Sequence, residues 1–170
     1  YHFNNITAKQ LINKFDNLIV VRTFSKAFGL AGMRVGYTMA NKKIIGYMMS
    51  IKPIYEINAF NIKLIRLLIK NINVMKNYTK AVKKGTLRLK RYLTNYGIKM
   101  YGRYSNTVLF RLKTYTQVKK VTKFLYDRKF IIRPMVIDGD NKFLRVTIGS
   151  EKIMEKFIKI LDKSLKKYAA

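Results

Sequence analysis

Residues 18–37 read LIVVRTFSKAFGLAGMRVGY, and no other stretch restricts the fold of this chain so tightly. The apolar run Leu18, Ile19, Val20, Val21 leads straight into Arg22, Thr23, Phe24, Ser25 and Lys26. Gly29, Gly32, Arg34 and Gly36 follow, spaced by small and apolar residues. An apolar run that ends at a glycine-rich turn predicts a buried strand over 17–22, and RVGYTMA at 34–40 predicts the next strand. A strand end carrying hydroxyls, a lysine and flexible backbone is where α/β proteins usually place their chemistry.

A lysine at the mouth of a buried strand is expected to be partly desolvated, which disfavours the ammonium. The neutral amine condenses with carbonyl carbons. Ser25 and Thr23 add hydroxyls, Gly29 and Gly32 let a ligand approach the backbone, and Arg34 can fork two hydrogen bonds onto a phosphate. That set suits an aldehyde bearing a phosphate, which describes pyridoxal phosphate. Composition alone favours a plainer reading, a buried strand followed by a solvated Lys–Arg turn, because lysine is abundant throughout the chain.

The string SKAFGLAGMRVGY resembles the cofactor-lysine motif of fold-type I aminotransferases, and most closely that of the histidinol-phosphate aminotransferases. The resemblance implies that Lys26 holds pyridoxal 5′-phosphate covalently, that Arg34 and Ser25 bind its phosphate, and that Thr23 is a weaker contact. It also implies a fold of α/β class: the carboxy-terminal part of a large cofactor-binding domain (1–72), an interdomain helix (73–95) and an α+β small domain (96–170). A DEAYxxF motif precedes this region in the family. Phe3 matches its phenylalanine, with Tyr1 at or beside its tyrosine. The family's ring-nitrogen Asp, glycine-rich phosphate loop, ring-stacking aromatic and ring-oxygen Asn have no counterpart here, so the resemblance is to part of a longer enzyme.

Three further positions carry the likeness. Asn106 lies in SNTVLF, Arg133 in IIRPM and Arg145 in FLRVTIG. By resemblance Arg145 grips the substrate α-carboxylate, Arg133 binds a distal phosphate, and Asn106 belongs to the same substrate site. Arg145 interrupts an apolar strand, and a buried guanidinium requires a fixed anion. The alternative, that Leu144 and Val146 face inward and Arg145 outward, stays open from the pattern alone. For Arg133 a solvated strand end is an equal reading.

The 170 residues are 49% apolar, enough for a core, and contain no Cys. That excludes disulfides and thiolate metal sites, and His2 stands without a metal-ligand cluster. No apolar run nears the roughly 20 residues that span a bilayer, and no amino-terminal signal is evident, so a cytoplasmic setting with no membrane partner is expected. The 36 basic and 8 acidic residues give a net charge of +28. Alone, that charge suggests nucleic acid. The cations look scattered rather than gathered in one stripe, and Lys, Asn, Ile, Tyr and Phe are enriched together, as AT-rich codons would produce. No specific nucleic-acid partner is therefore expected.

Periodicity predicts helices over 7–15, 42–50, 61–72 (buried), 74–92 and 116–128, and a last helix capped by Ser150. Strands are predicted over 107–112, 130–133 and 143–148, with Pro134 ending the second and DGDN at 138–141 turning. Tyr55 and Asn58 read as ordinary turn residues. The expected activity is transamination between histidinol phosphate and 2-oxoglutarate, forming imidazole-acetol phosphate and glutamate, by a homodimer. A threonine-phosphate decarboxylase or aromatic aminotransferase of the same fold, a basic nucleic-acid-binding module and an inactive fragment are the alternatives.

Overall fold

The computed structural model describes residues 2–3, 6–102 and 104–168. Tyr1, read as the motif tyrosine or the residue after it, lies outside them. The chain divides into two compact units, Tyr1–Asn77 and Tyr78–Ala170.

The first unit holds strands β1 (Val20–Thr23) and β2 (Gly36–Met39) and helices α1 (Lys42–Ile51) and α2 (Ala59–Lys70). β1 and β2 pair antiparallel, with Thr23 opposite Gly36 and Val20 opposite Met39. Asn41 caps α1, accepting from Ile44 N at 2.9 Å, while its amide donates to Asp16 O at 2.7 Å. α1 stops one residue before Pro53, with Lys52 extended, as proline requires of its predecessor. Asn58, read from sequence as a turn residue, caps α2 by accepting from Asn61 N at 2.8 Å.

Three expectations fail in this unit. The 7–15 helix shrinks to a single 3-10 turn, Lys9–Leu11, where the Thr7 hydroxyl accepts from Lys9 N at 3.1 Å. A local hydroxyl–backbone bond of this kind competes with helix propagation. β1 is not buried: Val21 is 72% exposed and Ile19 is exposed. α2 is not buried either, since Phe60, Leu67 and Ile69 are exposed and Asn61 is its buried residue. Apolar patterning registers that a face needs cover, and a two-stranded sheet supplies too little of it.

The second unit opens with most of α3 (Asn73–Asn95), so the division falls inside the expected interdomain helix. β3 (Met100–Tyr101), β4 (Thr107–Arg111), β5 (Arg133–Ile137) and β6 (Asp140–Thr147) form one antiparallel sheet in the order β3-β4-β6-β5. α4 (Tyr115–Tyr126) packs on β5 and β6 and against α5 (Glu151–Tyr168). The core is Val108, Phe110, Leu144 and Val146 from the sheet, with Val82, Leu89 and Leu93, Val118, Val121 and Leu125, and Phe157, Leu161 and Leu165 from the helices. A capping box joins Thr114 and Gln117 at the start of α4. Pro134 lies inside β5 instead of ending it, because β5 is an edge strand. Asp138 and Gly139, with φ of 49° and 79°, form the two-residue turn that a tight hairpin demands.

α3 and α5 are tied through Asp162. Its Oδ1 accepts from the Tyr96 hydroxyl at 2.5 Å and the Tyr92 hydroxyl at 3.2 Å, and its Oδ2 lies 2.8 Å from Lys166 Nζ. The bonds from Lys166 and then Tyr96 hold its carboxyl below the usual range. A lowered folded-state pKa adds stability above the unfolded value near 4, and that stability is lost as pH falls through the folded value. Asp162→Asn should therefore cost about 1–2 kcal/mol at neutral pH. Urea melts at neutral pH and at about pH 3 should show the difference from wild type shrinking in acid.

Candidate functional site

The loop 24–35 joins β1 to β2, and its neck is closed by Phe24 N donating to Val35 O at 3.1 Å. Leu30 N reaches back to Phe24 O and Gly29 N to Lys26 O, both at 3.1 Å. Phe24, Ala27 and Val35 are buried and anchor the loop, while Lys26 between them is exposed. Phe24 packs its ring on Phe28 and Tyr37. The sequence expectation of a partly desolvated lysine is thus corrected: the strand before it is open, so Lys26 is in contact with water.

Thr23 and Ser25 form one hydroxyl pair beside Lys26. The Thr23 hydroxyl donates to Ser25 Oγ at 2.8 Å and accepts from Ser25 N at 3.0 Å. Arg34, eight residues past Lys26, has a left-handed backbone with φ of 52°. That conformation costs a non-glycine residue roughly 1–2 kcal/mol. Its Nη1 donates to Ala31 O at 3.0 Å. No carboxylate pairs with Lys26 or Arg34 among the described residues. Glycine is required at position 36, because a Cβ there would lie 2.4 Å from Arg22 O across the ladder.

Asn61 was not singled out from sequence. It is buried in the first turn of α2, and its amide donates to Met33 O at 3.2 Å, pinning the loop just ahead of Arg34. Its signal was available: an amide inside an otherwise apolar helical run.

In the second unit, Arg133 and Arg145 are directly opposed across β5 and β6. Leu109 flanks Arg145 from β4, and Tyr101 of β3 flanks Leu109, so one transverse row crosses the sheet. Arg145 alternates with the buried Leu144 and Val146 and lies on the other face of β6, half-buried rather than buried. Directly opposed side chains in an antiparallel pair stand about 5 Å apart at Cβ, and like charges there repel. No carboxylate pairs with either arginine among the described residues. An anion bound at this row would relieve the repulsion. Asn106 enters β4 buried: its carbonyl accepts from Ile148 N at 2.8 Å and its amide approaches the Tyr78 hydroxyl at 3.5 Å. Among the described residues no cluster of side chains could hold a metal, and no helix is long and apolar enough to cross a membrane.

The family profile of the class I and II aminotransferases matches residues 3–161, which takes in the lysine loop and both arginines. The chain belongs to the class I and II aminotransferase family. The histidinol-phosphate aminotransferase of Methanocaldococcus jannaschii is 38% identical over 152 residues, 88% of this aminotransferase chain and 40% of that protein. The crystal structure of the histidinol-phosphate aminotransferase from Clostridium acetobutylicum aligns with a TM-score of 0.83 at 25% identity, over 95% of this chain and 49% of that one. The enzyme from Sinorhizobium meliloti, solved in complex with pyridoxal-5′-phosphate, aligns with a TM-score of 0.78 at 21% identity, over 89% of this chain and 42% of that one. This aminotransferase chain therefore spans less than half the length of these relatives, and its α/β fold is theirs over that span.

Proposed function

We propose that this chain carries the cofactor lysine and the substrate arginines of a pyridoxal-phosphate-dependent aminotransferase that interconverts histidinol phosphate and 2-oxoglutarate with imidazole-acetol phosphate and glutamate. The observation that supports this reading is the end of β1 with the 24–35 loop, a stretch that carries an exposed amine, two linked hydroxyls and a guanidinium without a carboxylate partner among the described residues. Those donors fit a phosphorylated aldehyde. Lys26 Nζ would hold it at its carbonyl carbon, whose oxygen leaves as water, and Arg34 and Ser25 would hold its phosphate. Thr23 orients the Ser25 hydroxyl. When bound, the cofactor supplies an electron sink for negative charge at the substrate α-carbon. Lys26 Nζ, once free, takes and returns the proton at that α-carbon. Arg145 holds the α-carboxylate of glutamate, Arg133 holds the phosphate of the other substrate, and Asn106, just ahead of β4, belongs to the same substrate site. The reading extends to a cytoplasmic homodimer, and the exposed apolar side chains of the first unit bear on its second part alone, as a face that needs cover.

Borohydride reduction of the pyridoxal-phosphate-loaded native protein, followed by peptide mass mapping, tests the assignment. Stable pyridoxyl label should sit on Lys26 alone. Label spread over the many surface lysines would sink it. Arg145→Gln should lower kcat/KM for glutamate roughly 30- to 150-fold, from about 2–3 kcal/mol of lost charge-assisted bonding. Its spectrum with bound cofactor should not change.

A further inference from the structure

The cations that look scattered in the sequence are gathered by the fold. In α5, Lys152, Lys156, Lys159, Lys163 and Lys167 recur at steps of four, three, four and four, and all are exposed. Residues at these steps lie one above the next on a single helix face. At 1.5 Å per residue the row runs about 22 Å. The acidic residues of α5 lie on another flank and are engaged there. Glu151 and Glu155 face Arg88, and Asp162 faces Tyr92, Tyr96 and Lys166. No carboxylate pairs with any of the five lysines among the described residues. The neighbouring α4 adds exposed Lys119, Lys120 and Lys123. The ring of Tyr168 has Lys120 Nζ at 5.9 Å and Lys167 Nζ at 5.3 Å, which brings the two sets of cations together.

We propose that the outer face of α5, with the adjoining lysines of α4, is a sequence-nonspecific docking surface for the phosphate backbone of nucleic acid. A straight row of cations complements a linear polyanion, and backbone contacts of this kind carry affinity without reading bases. A membrane surface fits less well. Helices that lie on membranes bury an apolar face in lipid, but the apolar face of α5 (Met154, Phe157, Leu161 and Leu165) is already in the protein core.

Binding of the native protein to a short random-sequence DNA duplex, titrated with salt, tests this. Five phosphates neutralised by the row predict a slope of log K against log salt of about −4 to −5. Replacing Lys152, Lys156, Lys159 and Lys163 together with Gln should reduce the slope by about 3–4, whereas Arg at all four should retain it. Replacing Lys9, Lys14, Lys43 and Lys63 with Gln makes the same change in net charge on exposed positions of the first unit, and should move the slope by less than about 1. Circular dichroism identifies any variant that has lost its fold, and the Arg variant reports the surface without loss of charge. Equal losses in both Gln variants would show that net charge alone binds, and would overturn the proposal. So would undiminished binding by the α5 Gln variant, or binding confined to phosphatidylserine vesicles.

Discussion

Lys26→Ala should leave a folded protein with no measurable transamination and without the absorbance of lysine-bound pyridoxal phosphate. Lys26 is exposed, and no carboxylate pairs with it among the described residues, so truncation removes little that stabilises the loop. The loop keeps its own closure through Phe24, Gly29 and Leu30. On the proposed assignment, what goes is the nucleophile and the group that moves the α-proton, and proton transfer alone is worth about 10²–10⁴ in rate. Lys26→Arg keeps the charge but cannot form the covalent link, so it should be as inactive as Ala. Stopped-flow half-reactions with glutamate check both variants. Retention of more than a few per cent of wild-type turnover in either would remove Lys26 from the chemistry.

Gly85→Val should destabilise the second unit by about 3 kcal/mol, and Gly85→Ala by about 1–2 kcal/mol, against the propensity rule for a helix interior. Propensity favours Ala over Gly there by about 1 kcal/mol. Packing decides the opposite. A Cβ at position 85 of α3 would sit 2.8 Å from Gly149 O, 2.9 Å from Ile148 Cγ2 and 3.1 Å from Met154 Cγ. The first is backbone at the junction of β6 and α5 and cannot swing aside. Glycine is what lets α3 lie against that junction. Urea denaturation of the two variants reads the sign directly, and stabilisation by Ala would show that the helices do not approach as described.

The second unit was largely legible beforehand. Its helices and the strands β4 and β6 fall where periodicity puts them, with a turn at Asp138–Gly139 and Ser150 Oγ accepting from Ile153 N at 3.5 Å, whereas β5 runs Arg133–Ile137 and meets the predicted 130–133 strand only at Arg133. The first unit was less so. Branched apolar residues at 18–21 signal a strand, but not whether other strands flank it, and Val21 and Ile19 are left exposed. Lys26 was therefore found by its neighbours in sequence, whereas its predicted desolvation was not met. Asn61 and Gly85 were missed because their roles are contacts with Met33 and Gly149, residues 28 and 64 positions away.

Local chemistry that is contiguous in the chain was written in the residues themselves: an amine between hydroxyls and a guanidinium on a glycine-rich turn, helix periods, caps and hairpin turns. Tertiary structure alone decided that Arg133 faces Arg145 across two strands, that the acids of α5 turn toward α3 while its lysines align outward, and that Arg34 takes a left-handed backbone. These depend on register, helix phase and loop closure. Each is set by which distant surfaces pack together, and pairing energies between distant residues leave no mark on the order of neighbours along a chain.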